Sequence, residues 1–173
     1  MGKALDERVE TERQALLLDI VGAFRNVSCE DGITLHEAAV IDRRGSEADR
    51  VHARLLDTQS SWQDVPEDEI ENHYSALAFF DAKALRYYIP AYMTCALKDF
   101  GSNSASFAVP IIDTIDAEHR GIFSKEQCIV MIRFCFFMNC FAFRCKDADE
   151  YARRIRRRWG ANWDERIVER FRI

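Results

Sequence analysis

Ser124 to Phe143, SKEQCIVMIRFCFFMNCFAF, is the stretch whose reading decides the fold. Between Cys128 and Phe143 only Arg133 and Asn139 are strongly polar, so a helix here is apolar on nearly every face and belongs inside a domain. Ser124 can cap its amino end, Gln127 completes a capping box, and Gly121 breaks whatever precedes it. A membrane span needs roughly 20 apolar residues. This run is shorter and interrupted by an arginine and an asparagine, so the expectation is a buried core helix and no membrane contact.

Working outward, the 173 residues fit one domain, with 48% hydrophobic and 31% charged residues and only three prolines and seven glycines to build linkers. The beginning, MGKALDERVE, carries charges where a signal peptide needs an apolar run, and a cytoplasmic protein is expected. Cysteines stand at positions 29, 95, 128, 135, 140 and 145, with no CxxC pair. Helical steps of seven, five and five rotate Cys140 and Cys145 away from Cys128 and Cys135, so one metal could not collect them. Buried reduced thiols are the expectation.

Residues 4–27 read as an amphipathic helix whose stripe holds Leu5, Val9, Leu16, Ile20, Ala23 and Val27, with Asp6, Glu7, Glu10 and Arg13 opposite. Thr34 with Glu37 and Ser46 with Asp49 mark the starts of two short helices that form a pair. His36 next to Glu37 invites a metalloprotease reading, but Val40 occupies the place of the second zinc histidine. Neither His52 nor His73 restores the spacing, and all four histidines read as isolated. No nucleophile elbow, P-loop or dinucleotide glycine motif occurs, so no cofactor and no metal are expected.

Pro66 and the run Glu67, Asp68, Glu69 mark another helix start, and Asp81 can cap the helix that follows Phe80. In FFDAKALRYYIPAYMTCALKDF, residues 79–100, Leu85, Tyr88, Ile89, Tyr92 and Ala96 share one face. Pro90 interrupts it, which predicts a kink or two helices meeting, with the carbonyl of Arg86 answered by tyrosine hydroxyls or by the Arg86 guanidinium. The polar groups here are either structural or line a groove for a peptide or an anionic group. On the second reading the candidate binding residues are Trp62, Asp81, Arg86, Tyr87 and Tyr92.

The run from Trp62 through Leu97, above all FFDAKALRYYIPAYM, resembles a bacterial family of small uncharacterised proteins classed as a domain of unknown function. FSKEQCIVMIRF, residues 123–134, is similar to a second segment of that family. The resemblance implies no reaction, cofactor or catalytic residue, and it leaves the cysteine-rich tract and the arginine-rich tail outside the pattern.

After Gly101, Ser104 or Ser106 can cap a helix bearing Val109, Ile112 and Ile115, with a short extended piece around Phe107 as the alternative. The carboxyl end changes sign: residues 151–173 carry a net +5 and residues 1–150 a net −10. A basic helical segment is expected at about 147–173, in which Tyr151, Ala152, Ile155 and Trp159 form a stripe and Arg153, Arg154, Arg156, Arg157 and Arg158 a basic patch. Gly160 stops that helix, and Trp163, Ile167 and Phe171 suggest a last one. The arginines either bind phosphates or an acidic partner, or the stripe packs on the acidic body of the same chain; the net charge of −5 favours the second.

Together these readings predict one all-α domain of seven to nine helices around the helix at 124–143. The expected role is a non-catalytic protein-binding or regulatory module whose partner is another protein or a second copy of the chain. An enzyme with a pocket built from acids such as Glu37, Asp64 and Asp81 is the rival reading, and nucleic-acid binding through the arginine helix is the third.

Overall fold

The computed structural model describes residues 2–98, 104–115, 117–142, 147–164, 166, 167 and 171. Among them are nine α-helices and no strand: α1 Gly2–Ala23, α2 Leu35–Asp42, α3 Glu47–Arg54, α4 Glu67–Asn72, α5 Ala82–Lys98, α6 Ala108–Thr114, α7 Ala117–Arg120, α8 Lys125–Phe137 and α9 Ala148–Trp159. The all-α expectation holds. No helix of the described residues is long and apolar enough to cross a membrane.

At the centre lies α8. Ser124 Oγ accepts the Gln127 N–H at 3.1 Å while Gln127 Oε1 accepts the Ser124 N–H at 3.0 Å, the reciprocal cap its sequence announces. Every residue from Val130 to Phe137 is buried. The helix then widens into a π-turn over Met138–Ala142; Phe143 and Cys145 lie outside the described residues. Its one buried charge, Arg133, is answered by α1, where its guanidinium donates to Glu12 at 2.7 Å and to Asp19. A buried cation needs such partners, since desolvation would otherwise dominate.

Of the expected stripe on α1, Leu16 and Ile20 are fully buried, and Val9, Ala23 and Val27 pack partly buried against the core. That helix ends at Ala23, short of Val27, where Gln127 of α8 donates to the Ala23 carbonyl at 3.0 Å and occupies a helix-end acceptor. In the turn after α1, Trp62 Nε1 donates to the Phe24 carbonyl at 2.8 Å. The stretch 104–107 is a 3₁₀ turn rather than extended. Ile167 and Phe171 are buried, the Phe171 ring stacking on Phe136 with centroids 6.0 Å apart, but residues 165 and 168–170 of the expected last helix lie outside the described residues.

The proline does not divide α5, which runs unbroken from Ala82 to Lys98 with Pro90 inside. Twelve of its residues are buried, among them Leu85, Ile89 and Met93. Burial on that scale outweighs the ~3 kcal/mol an interior proline costs. Of the two groups offered for the carbonyl of Arg86, the tyrosine hydroxyls bond elsewhere: Tyr87 to Gln59, Tyr88 to Leu35 and Tyr92 to His73.

In urea unfolding, Phe134→Ala, which empties a fully buried position on α8, is expected to cost about 3–5 kcal/mol. Leu18→Ala on the outer face of α1, at a site 73% exposed, is expected to change stability by no more than about 0.5 kcal/mol.

Candidate functional site

Two short helices and the amino half of α5 assemble the polar part of the molecule. Asp49 Oδ2 accepts the Ser46 N–H at 3.0 Å and the Ser46 Oγ accepts the Asp49 N–H at 3.2 Å, which starts α3. Glu37 accepts the Thr34 N–H at 3.3 Å at the start of α2. The same carboxylate receives Arg50 and Arg54 from α3, each at 2.7 Å. Burial pushes its pKa up, but the two guanidiniums and the Thr34 amide outweigh that and hold it below the usual value. Glu37 thereby fastens the helix pair.

Gly32 brings the chain before α2 against the start of α5, where a Cβ would stand 2.8 Å from the Ala84 nitrogen. Asp81 spans this junction, accepting the Ala84 N–H at 2.9 Å through Oδ1 and the Ile33 N–H at 3.3 Å through Oδ2. It caps α5 as its sequence implies. Arg54 adds a hydrogen bond to the Gly32 carbonyl at 2.7 Å.

Between these elements opens a cleft of about 480 Å³ lined by Cys29, Thr34, Arg54, Asp57, Gln59 and Tyr87, among others. Tyr87 donates to the Gln59 carbonyl at 3.2 Å, and desolvation by burial, with the Cys29 thiol nearby, raises its pKa to about 12. Burial, with the Asp81 carboxylate adding, likewise pushes Cys29 up to about 11, so this thiol is protonated at neutral pH. The Thr34 hydroxyl, on a residue only 8% exposed, has no hydrogen-bond partner. Glu30 on the rim holds a left-handed φ of 54°, a conformation uncommon for a residue with a Cβ.

Next to the cleft the structure joins residues that spacing in the sequence kept apart. His36 on α2, Glu69 on α4 and His73 just after α4 converge: His36 Nε2 lies 3.2 Å and His73 Nε2 3.4 Å from the same oxygen, Glu69 Oε2. The imidazole centroids are 4.9 Å apart. Asp57, whose side chain is 6% exposed and which also lines the cleft, holds His36 at both ends, accepting its backbone N–H at 3.0 Å and facing Nδ1 at 2.9 Å. The expectation of isolated histidines therefore fails for His36 and His73. The pairing is made by the fold across 37 positions, where no local spacing rule applies.

The tyrosines of α5 brace this arrangement. Tyr88 Oη accepts the N–H of Leu35, the neighbour of His36, at 3.2 Å, and Tyr92 donates to the carbonyl of His73 itself at 2.6 Å. Phe80 stacks on Tyr88 with centroids 4.8 Å apart and meets Tyr92 edge-on. Of the residues singled out in the sequence, Trp62, Asp81 and Tyr92 are thus engaged in internal hydrogen bonds, and Tyr87 reaches the cleft. Arg86 faces Glu30 at 3.7 Å. Glu37 and Asp81 are held by their own partners, and Asp64 is exposed.

The basic segment lies elsewhere. Tyr151, Ala152, Ile155 and Trp159 turn inward from α9, while Arg153, Arg154, Arg156, Arg157 and Arg158 are exposed. Asp113 of α6 ties the helix down, accepting Tyr151 Oη at 2.8 Å and Arg154 at 2.7 Å. Gly160, with φ of 45°, ends it.

An all-α protein with a polar cleft and a tyrosine-braced histidine–carboxylate cluster is the class these observations define. The chain belongs to the Family of unknown function (DUF6714), which matches residues 12–156. The match takes in α2 to α8 with all the residues of the cleft and cluster, and it also covers the cysteine-rich tract and most of α9, which the resemblance had left outside. No curated protein and no solved structure matches the chain.

Burial, with the neighbouring His36 adding, lowers the pKa of His73, and Arg43 acts in the same direction against Glu69 and Asp57. The unfolded chain therefore holds this proton more tightly, so the contribution of neutral His73 is complete above about pH 6.5 and is lost as pH falls through the lowered folded value. Urea unfolding at pH 7.5 and pH 5 in the presence of chelator is expected to show a larger loss on acidification for the wild type than for His73→Gln.

Proposed function

We propose that this protein is a non-catalytic binding module that receives a peptide segment of a protein partner in the cleft between α3 and α5. The observation that carries the reading is the side of the cleft formed by the end of α3. Arg54 and Asp57 line it, and between them in sequence Leu55 and Leu56 stand 71% and 61% exposed. Val51, one turn before Leu55, is 57% exposed and extends the apolar face. Large exposed side chains beside polar groups are how a surface offers anchors and orientation together.

In this reading Arg54 and Asp57 orient the segment, Leu55 and Leu56 take its apolar side chains, and Tyr87 and Thr34 form the cleft wall beneath it. Arg86 stands beside the cleft, and Trp62, Asp81 and Tyr92 position the walls. The setting assigned to such a module is the reducing cytoplasm, where buried thiols such as Cys128 and Cys135 stay reduced.

Capture by the immobilised full-length protein from a lysate of its source cell at low and high salt tests the reading. A stoichiometric partner is expected to survive high salt on the wild type and to fall at least tenfold on Leu55→Asp/Leu56→Asp, a variant whose exposed sites leave the circular dichroism spectrum unchanged. A partner held equally well by the variant, or recovery of only salt-labile nucleic acid, would overturn it.

A further inference from the structure

We infer that His36, His73 and Glu69 form a binding site for a single zinc-like divalent transition metal ion, with Asp57 as the carboxylate that orients His36. Tetrahedral zinc holds its ligands at about 2.0–2.1 Å, which sets neighbouring ligand atoms about 3.3 Å apart. Here the two nitrogen-to-oxygen edges measure 3.2 and 3.4 Å, and all three ligand atoms lie within 4.8 Å of one another. Two of the three edges already have the length that a tetrahedral shell requires.

The chemistry of the donors points the same way. Two imidazoles and one carboxylate make the ligand set that zinc takes when it leaves one position open. Asp57 Oδ1 faces Nδ1 of His36 at 2.9 Å, so a neutral His36 carries its proton there and turns the Nε2 lone pair toward Glu69 Oε2. A lone pair and a carboxylate oxygen repel at this distance unless a cation lies between them. The cation is a proton on Nε2 or a metal ion, and the His73 Nε2 aims at the same oxygen, so that three ligand atoms converge from three positions of the fold as they would around one metal ion. A carboxylate behind a ligating histidine fixes its tautomer and strengthens it as a ligand.

The supports are as ordered as the ligands. Asp57 is buried, the Leu35 amide next to His36 is held by Tyr88, and the His73 carbonyl by Tyr92, so both rings are carried by braced backbone. The side chains of His36, Glu69 and His73 are 22%, 34% and 26% exposed, which leaves the fourth position to water or to a side chain of a bound partner. This inference does not rest on the peptide reading: none of the ligands His36, Glu69 and His73 is assigned to the segment, and Asp57 is the one residue the two share.

Titration of the chelator-treated full-length protein with zinc by calorimetry, and with cobalt by absorption spectroscopy, tests it. One equivalent of zinc is expected to bind, with a cobalt spectrum of nitrogen and oxygen ligands in tetrahedral geometry. His73→Gln and Glu69→Gln are each expected to weaken binding at least about 100-fold and Asp57→Asn by about 10- to 100-fold, while Leu55→Asp leaves it unchanged. Glu69 is the most exposed of the three ligands, so its variant retains the fold and decides the case if a histidine variant loses it. Absence of stoichiometric zinc binding would overturn the inference, as would full affinity in Glu69→Gln or a sulfur-to-cobalt charge-transfer band, which would assign the metal to the cysteines.

Discussion

The hydroxyls of Tyr87, Tyr88 and Tyr92 leave water when α5 packs, and each meets its hydrogen-bonding requirement on a different segment of chain. Tyr87 reaches the segment between α3 and α4, Tyr88 the start of α2 and Tyr92 the end of α4. A buried hydroxyl without a partner costs about 1–3 kcal/mol. The same penalty that compels these bonds therefore fixes three stretches that would otherwise be loops at the surface. His36, His73 and the floor of the cleft take their places from one buried helix.

Much of the helical framework was legible because its signals are local. Ser46 with Asp49, Ser124 with Gln127 and Asp81 ahead of Ala84 are reciprocal or single caps whose donors and acceptors lie three residues apart, so reading them needs no tertiary information. The apolar run of α8 announced burial for the same reason. Pro90 left more than one outcome open because its cost is local, while the packing that keeps α5 continuous comes from the rest of the fold. The histidine pair was invisible because His36 and His73 share no helix face. What could have pointed to them was the tyrosine spacing: Tyr88 and Tyr92 are one turn apart on one side of α5, and their partners had to be brought together on that side.

Charge is distributed with the same economy. Arg133 lies in the apolar centre only because α1 offers Glu12 and Asp19, and α9 sits on the body through Asp113 while its remaining arginines face outward. Burial pushes the Asp113 carboxyl up, the Tyr151 hydroxyl and Arg154 pull it down, and burial prevails. The positive segment thus has an internal anchor, and its inward stripe accounts for the pattern that the sequence shared with phosphate-binding helices.

The central claim is that the hydroxyls of α5 hold the two histidines together, and proton NMR of the imidazoles in Tyr88→Phe/Tyr92→Phe tests it most directly. The rings that remain preserve packing while both hydrogen bonds disappear, so a stability loss of about 2 kcal/mol is expected with the helical spectrum retained. The cross-relaxation between the His36 and His73 rings, strong in the wild type at a centroid separation of 4.9 Å, is expected to weaken or vanish. Unchanged stability together with unchanged ring-to-ring signals would show that the histidines are positioned by something other than the tyrosines.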